Sequence, residues 1–409
     1  MEPRLDPENF ARLLCSPALG SHLGRVGSKF ISNMLVGIHR TRSVNLTKVA
    51  KGLNEDIRLH ATHKRLSRNL DDIDLTYKIS DALLKLGAKS VKADTRLIVH
   101  VHQLKKKYAC KIEYLSNTRV DADSCFSVCE ILASGPESDT YIPLLASVWS
   151  DQVPDYKSDA EEVIKALRKV LKATDNKGMV YLDDRSIPDE MLQLIILEPD
   201  LKFTVLLRNR EMRVLHGREE TSVAAVATKA ETQYGKIVFK LTPESASVPS
   251  MSDLDLFMHV GASSVRLPDT SRRLSLIAMK INNRLVGQDS IPVITTETNL
   301  RSRKALMGLV DSYLSMHDIV QAHRKLRDSF EPSGFRVLTY HRLQLLMTLL
   351  QAVIHYETAV RDGIAIESHQ FSHTPHETAL HRTYYRPDSV GSGISCKEQG
   401  GAQTALMNA

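Results

Sequence analysis

The chain has 409 residues, of which 42% are hydrophobic and 25% are charged, so it can form two or three domains with substantial cores. No run reaches the ~18 consecutive apolar residues of a membrane span, and the first residues lack the basic and apolar regions of a secretory signal. These absences argue against a membrane protein or a secreted protein, and we expect a cytoplasmic one.

The formal net charge of +6 is unevenly distributed along the chain. Residues 1–115 contain 21 Lys and Arg against 11 Asp and Glu, whereas the remainder contains 33 against 37. A basic segment of this kind favours a nucleic-acid partner for the N-terminal part, although solvated basic faces are also common in proteins without one.

Residues 1–80 are predicted to form a helical DNA-binding domain. The segment TRSVNLTKVAKGLNEDIRLHATHKRLSRNL has the pattern of a short helix, a break and a second helix. On that second helix Lys64 and Arg68 are four residues apart and share a face, with Arg65 beside them. These three residues are predicted to contact DNA phosphates. An ordinary solvated helix is the alternative.

The hydrophobic period changes to that of strands near residue 94. TRLIVHVHQL alternates, so Leu97 and Val99 are predicted on one face and His100 and His102 on the other. Four further segments predict strands before residue 200: KIEYLS, FSVCEILAS, YIPLLASVWS and GMVYLDDRSIP. KSDAEEVIKALRKVLKAT and DEMLQLIILE predict helices, the first capped by Ser158, and LKFTVLLRNRE predicts another strand. This order predicts the α/β class, with a mixed sheet flanked by helices.

Residues 211–289 interrupt the α/β order and predict a β-rich insertion. Its short strands are predicted at RVLHGR, SVAAVATKA, GKIVFKLTP, SVRLP and RLSLIAMKIN. IPVITTETNL then returns to a buried strand, and two long helices are predicted to follow it. Residues 364–409 are rich in Gly, Ser, His and Gln without periodicity, which predicts a disordered tail.

Several segments together resemble the DDE transposases of bacterial insertion sequences, of the insertion-sequence-4 type. They occur in the family's order: RTRSVNLTKVAKGL, HKRLSRNL, LIVHVHQLKKKYACKIEYLSNTRVDADS, VYLDDRS, LLRNRE, VITTE and YLSMHDIVQAHRKLR. The resemblance implies an RNase-H-like core over residues 90–210 and 290–358, interrupted by the insertion and preceded by the DNA-binding domain. It also implies double-stranded DNA with terminal inverted repeats as partner, and a homodimer on that DNA.

The chemistry implied by the resemblance is metal-dependent strand cleavage and transfer. Three carboxylates of the family hold two Mg²⁺ or Mn²⁺ ions, which activate the attacking oxygen and stabilise the leaving oxygen. In this chain His100 stands at the place of the first aspartate, Asp184 retains the second, and Val320 stands at the place of the glutamate. Asp184 is then the one metal ligand retained. We expect weakened binding of Mg²⁺ or Mn²⁺ and impaired catalysis.

The basic residues of the resemblance are better retained than its carboxylates. Lys105, Lys106 and Lys107 follow the first strand, and Arg324 and Arg327 are predicted on one helical stripe beside Val320. The full set of predicted DNA contacts outside the N-terminal helices is Lys105, Lys106, Lys107, Arg185, Tyr313, Arg324 and Arg327.

Three functions remain open at this point. The first is a transposase-family protein that binds DNA with little or no cleavage. The second is an active nuclease or transposase with an altered metal site, for example His100, Asp184 and His317 around Zn²⁺ or Mn²⁺. The third is a non-catalytic subunit that pairs with an intact transposase and regulates it. Whether the chain is an enzyme is undecided by the sequence.

Overall fold

The computed structural model describes residues 6–106, 111–116, 125–136, 138–182, 189–198, 201–239, 256–268, 272–283, 287–361 and 384–385. The N-terminal helices are α1 (Pro7–Leu14), α2 (Arg25–Thr41), α3 (Leu46–Gly52), α4 (Leu59–Asn69) and α5 (Ile73–Ala88). They are followed by β1 (Arg96–Lys105), β2 (Cys125–Ser134), β3 (Ile142–Trp149), α6 (Asp159–Ala173), β4 (Met179–Leu182) and α7 (Asp189–Leu197).

The second half contains most of the short strands. They are β5 (Phe203–Leu206), β6 (Arg213–His216), β7 (Glu219–Ser222), β8 (Tyr234–Phe239), β9 (Leu256–Arg266), β10 (Arg273–Asn283) and β11 (Gly287–Thr295), with helix α8 (Val223–Lys229) between β7 and β8. Two long helices and a two-residue strand complete the described elements: α9 (Arg303–Asp328), α10 (Tyr340–Arg361) and β12 (Tyr384–Tyr385).

The chain divides into two compact units. The first contains Met1–Ile196 and Asp318–His373, and the second contains Leu197–His317 and Thr374–Ala409. The mixed α/β class predicted from the sequence is confirmed at this level. No helix in the described part of the chain is long and apolar enough to cross a membrane.

The sheet of the first unit has the strand order β4-β1-β2-β3. β1 pairs antiparallel with β2 and parallel with β4, and β2 pairs antiparallel with β3. β2 is buried along its whole length, from Cys125 to Ser134, and β1 is buried from Arg96 to Val101. A strand of this kind tolerates a charged side chain only when that side chain finds a partner inside the protein.

One apolar core joins the N-terminal helices to this sheet and to α10. Phe10, Met34, Phe126 and Leu349 belong to it, and all four are fully buried. The helical segment therefore shares its core with the first strands, and the boundary predicted at residue 80 falls within α5. The predicted cap of α6 is also present, since the Ser158 hydroxyl accepts a hydrogen bond from the Glu161 amide at 3.1 Å.

The second unit is mainly antiparallel sheet. β8, β9, β10, β11 and β5 are neighbours in that order, and the β6–β7 hairpin contacts β9. β12 pairs with β8 through Tyr384 and Tyr385. The other residues of the predicted disordered tail, 364–409, lie outside the described residues.

Two predicted strands are wrong. Residues 111–116 (KIEYLS) form turns and a single bridge between Ser116 and Cys125, because Tyr114 has a positive φ of 55° that interrupts extended backbone. SVAAVATKA forms α8, since the Ser222 hydroxyl caps the helix by accepting from the Ala225 amide and the alanines favour helix.

Candidate functional site

Two histidines lie on one face of β1. His100 and His102 are two residues apart, and their rings stack with centroids 5.4 Å apart. The β1–β2 register places Glu130 directly opposite His100, so these residues share a face of the sheet. A carboxylate on the neighbouring strand thus lies beside the position where the resemblance implies the first metal-binding aspartate.

Glu130 is the centre of a buried ion cluster, which we call the Glu130 cluster and which consists of Glu130, His102, His323 and Arg327. Arg327 Nη1 donates to Glu130 Oε2 at 2.7 Å. His102 Nε2 lies 3.0 Å from the same oxygen, and His323 Nε2 lies 3.0 Å from Oε1. The exposed fractions are 6% for Glu130, 1% for His323 and 7% for Arg327, so water screens these contacts little.

The partners of Glu130 stabilise the ionised form of its carboxyl. Burial alone would raise the pKa of the Glu130 carboxyl, but His323, Arg327 and His102 outweigh it and hold that pKa well below its ordinary value. Burial opposes the charge of Arg327, yet Glu130 and Asp328 raise its pKa above the ordinary value. Burial lowers the pKa of His102, which favours its neutral form. The cluster therefore contains one carboxylate and one guanidinium, with imidazole nitrogens within hydrogen-bonding distance of both carboxylate oxygens.

This arrangement does not fit Mg²⁺. The ion requires several oxygen ligands in octahedral geometry, whereas both oxygens of Glu130 are already within 3.0 Å of nitrogen atoms. Mg²⁺ beside Arg327 would also meet a permanent positive charge. The cavity bordering the cluster has a volume of about 20 Å³, which is room for one water molecule and not for a DNA phosphate group.

The third metal position of the resemblance lies on the same face of α9 as the cluster. His323 and Arg327 follow Val320 by three and seven residues, a spacing that brings side chains to one helix face. His323 and Arg327 contact Glu130 on the sheet, and Val320 is only 3% exposed. Val320 is accordingly a buried packing residue at a position where the resemblance implies a carboxylate.

The other predicted metal residues are not brought together by the described structure. Asp184, the predicted remaining metal ligand, lies outside the described residues, as do Lys107 and Arg185. His317 belongs to the second unit, where its ring meets that of Tyr313 edge-on at 5.9 Å. Within the described ranges no group of three His, Cys, Asp or Glu side chains is arranged to hold a metal ion.

The predicted DNA contacts on α4 differ in exposure. Lys64 and Arg68 are both exposed and lie on the same face, in agreement with their spacing. Arg65 is only partly exposed, and its Nη2 donates to both carboxylate oxygens of Glu55, at 2.7 and 2.8 Å. Arg65 therefore forms an ion pair with Glu55 within the protein. Of the three predicted contacts, Lys64 and Arg68 are the exposed cations of α4.

The predicted stripe on α9 requires a correction. The Arg324 side chain is 60% exposed, but the Arg327 side chain is 8% exposed and bound to Glu130, so the two do not share a surface that could follow DNA phosphates. Tyr313 is 2% exposed. Arg327 therefore neutralises the buried Glu130 carboxylate and does not lie on a surface that DNA could contact.

Lys106, the residue after β1, also has internal partners. Lys106 Nζ donates to the carbonyl oxygens of Ser333 and Phe335, at 2.7 and 2.6 Å, and lies 4.5 Å from the centre of the Phe335 ring. Burial and the neighbouring Arg336 lower its pKa. Lys105 is partly exposed. Lys106 thus fixes the loop after α9 and has few hydrogens left for a phosphate.

Sequence reasoning missed Glu130, His102 and His323 as a group. The signal was the single acidic residue in the otherwise uncharged strand FSVCEILAS, since a buried carboxylate requires cationic partners. Arg327 lies 197 residues from Glu130 in the sequence, so local patterns could not identify the pair.

Comparison with known proteins shows a distant structural likeness. No protein-family model matches the sequence, and no curated protein matches it significantly. Among solved structures, a cryo-EM structure of the piggyBac transposase synaptic complex with hairpin DNA is similar, with a TM-score of 0.46 and 9% identity. The likeness covers 89% of this chain and 77% of that chain.

The Glu130 cluster predicts a large energetic coupling between Glu130 and Arg327. Arg327→Met leaves a buried carboxylate without its guanidinium and is expected to lower the free energy of unfolding by about 3–5 kcal/mol. Glu130→Gln in the same chain removes that uncompensated charge, so the double variant is expected to lose less than the sum of the single variants. Urea unfolding followed by the fluorescence of Trp149, the one tryptophan of the chain, reports on this unit.

Arg324→Met is the matched control, because Arg324 is on the same helix with an exposed side chain 3.7 Å from Asp328. Its expected effect is within about 0.5 kcal/mol. Additive effects of Glu130→Gln and Arg327→Met on the free energy of unfolding would show that the two side chains do not depend on each other.

Proposed function

We propose that this chain is a DNA-binding protein of the insertion-sequence-4 type of DDE transposases, with an RNase-H-like core whose strand cleavage and transfer are impaired. The motifs that resemble the family support the assignment. The strand order β3-β2-β1-β4, with β4 parallel to β1 and α6 between β3 and β4 in the chain, is consistent with the core that the resemblance implies. Double-stranded DNA with terminal inverted repeats is the proposed partner, bound by a homodimer.

The observation that carries the proposal of impaired chemistry is the Glu130 cluster. Phosphoryl transfer of the family's kind needs carboxylate oxygens that are free to bind two divalent ions. At the first position this chain has His100, and the carboxylate beside it is engaged by Arg327, His102 and His323. At the third position it has a buried valine. Asp184 alone would leave most of the coordination sphere of Mg²⁺ to water.

The proposal of DNA binding depends on a different surface. Lys64 and Arg68 are exposed on α4, and Leu59–Asn69 contains no acidic residue. A helix with cations on its free face can follow the phosphates of a duplex, and its affinity then falls as salt rises. The two parts of the proposal are therefore independent and can be tested separately.

Lys64→Ala with Arg68→Ala is expected to weaken binding to a labelled random-sequence duplex. For each phosphate that the variant no longer neutralises, the slope of log affinity against log salt should become shallower by about 0.9. Fluorescence anisotropy over a range of salt concentrations measures both quantities. The matched control is Arg168→Ala with Lys172→Ala, two exposed basic residues with the same spacing on α6, and it should leave affinity and slope unchanged. Salt-insensitive or absent binding by the natural chain would favour the interaction-subunit function instead.

The natural chain is expected to bind duplex DNA without nicking it in Mg²⁺ or Mn²⁺. His100→Asp with Val320→Glu restores both missing carboxylates and is expected to produce metal-dependent nicking of supercoiled plasmid above the natural chain. The matched control adds Asp184→Ala to that double variant and should abolish the nicking. Nicking by the natural chain that disappears in Asp184→Ala would contradict the impaired function and support an altered metal site.

A further inference from the structure

Two arginines lie directly opposite each other in the second unit, where β9 ends and β10 begins. The register pairs Arg266 of β9 with Arg273 of β10, so both side chains are on one face of the sheet. Both residues are exposed. Like charges at directly opposite positions of an antiparallel pair repel each other, so an anion bound between these two residues, which we call the arginine pair, would relieve an unfavourable contact.

The arginine pair differs from the cations around it in having no counter-ion. Within the described ranges neither of its side chains forms an ion pair. By contrast, Arg213 of β6 places its Nε 3.0 Å from Glu220 Oε1 of β7. Arg272 donates to the carbonyl oxygen of Glu198 at 2.7 Å. The pair therefore keeps its hydrogen-bond donors for an external acceptor, whereas its neighbours use theirs inside the protein.

The charge around the arginine pair stays positive. Leu215 of β6 lies on the other side of Arg266, and the carboxylate of Glu220 comes only on the strand after it, where Arg213 already engages it. The segment RLPDTSRR, from Arg266 to Arg273, contains three arginines against one acidic residue. An occupant of this end of the sheet should therefore be an anion.

A cleft of about 290 Å³ borders one member of the pair. It is lined by Leu215, His216, Gly217, Ser264, Val265 and Arg266. Ser264 precedes Arg266 by two residues on β9, so its hydroxyl is on the same face as the pair, and the residue is exposed. The cleft is close to the lower end of the range of small-molecule sites, which is about 300–1,000 Å³. It therefore has room for more than a single inorganic ion.

A phosphate group fits this set of donors. A guanidinium offers two parallel N–H groups that match two oxygens of a phosphate, and such charge-assisted pairs are among the strongest hydrogen bonds in proteins. A phosphate has enough oxygens to accept from both guanidiniums of the arginine pair and from the Ser264 hydroxyl as well. A group attached to the phosphate would then enter the cleft.

We propose that Arg266 and Arg273 form a phosphate-binding site in the second unit, with Ser264 as a further donor and the cleft as the place of the attached group. The phosphate belongs to a polynucleotide backbone or to a free phosphorylated compound. The inference goes beyond the proposed function, because it uses neither the α4 surface nor the metal positions.

Two measurements on the full chain test the site and distinguish the two sources. Inorganic pyrophosphate, titrated calorimetrically, represents the free compound, and Arg266→Ala with Arg273→Ala should lower its affinity by about tenfold or more. A labelled random-sequence duplex represents the backbone. In fluorescence anisotropy the same variant should bind it with a slope of log affinity against log salt that is shallower by about 0.9, because one phosphate is no longer neutralised.

The matched control is Lys202→Ala with Lys229→Ala, which removes two exposed positive charges elsewhere in the second unit. It should bind both ligands as the natural chain does. Arg266→Lys with Arg273→Lys keeps the charge and loses the paired N–H groups, so its affinity should lie between those of the natural chain and the alanine variant. Circular dichroism and melting temperature verify that all variants fold.

A loss seen with the duplex identifies a polynucleotide backbone as the source of the phosphate, and a loss confined to pyrophosphate identifies a free compound. Unchanged binding of both ligands by the alanine variant, or an equal loss in the lysine control, overturns the inference and leaves the proposed function intact. If the natural chain binds pyrophosphate through the arginine pair and does not bind the duplex, the proposed function fails and the inference stands. Binding of neither ligand by the natural chain overturns both.

Discussion

The carboxylate of Glu130 connects β2 to the neighbouring strand β1 and to the part of α9 that belongs to the first unit. It extends from β2, meets His102 of β1, and binds His323 and Arg327 of α9. A buried charge without partners destabilises a fold by several kcal/mol, so each of these contacts depends on the others. The position of this part of α9 on the sheet, and hence the environment of Val320, follows from satisfying that one carboxylate.

The same interaction underlies the proposal that strand cleavage is impaired. A carboxylate can bind a divalent ion or neutralise a buried guanidinium, and the geometry of the Glu130 cluster assigns it to the guanidinium. His100 and Val320 are both buried and neither has a carboxylate. The carboxylate of Glu130 is already paired with Arg327. Lys64 and Arg68, in contrast, present their charges on the exposed face of α4. DNA binding and metal binding can therefore be lost or kept separately.

Much of the fold could be predicted because its signals are local. The alternation of TRLIVHVHQL placed His100 and His102 on one face of β1, and Ser158 marked the start of α6. SVAAVATKA was mistaken for a strand because its valines suit both structures, and the capping hydroxyl of Ser222 decides for helix. KIEYLS was mistaken because a positive φ at Tyr114 leaves no signal in a residue type that rarely adopts it.

The candidate site could be predicted only in part. The resemblance implies the first and third metal positions at His100 and Val320, and both residues are buried in the described structure. It could not reveal that Arg327 points to the interior, because that depends on Glu130, 197 residues away. Lys106 and Arg65 were likewise predicted to contact DNA from their charge alone. The carbonyl oxygens that bind Lys106 and the Glu55 carboxylate that binds Arg65 are positioned by tertiary packing.

The central proposal is that this chain binds DNA without binding the divalent ions that the resemblance implies. Electron paramagnetic resonance of Mn²⁺, titrated with the chain and a duplex, measures the fraction of the ion that leaves the free aqueous form. The account predicts that added chain reduces the free Mn²⁺ signal no more than duplex alone does. One or two tightly bound Mn²⁺ ions per chain, absent in Asp184→Ala, would contradict it.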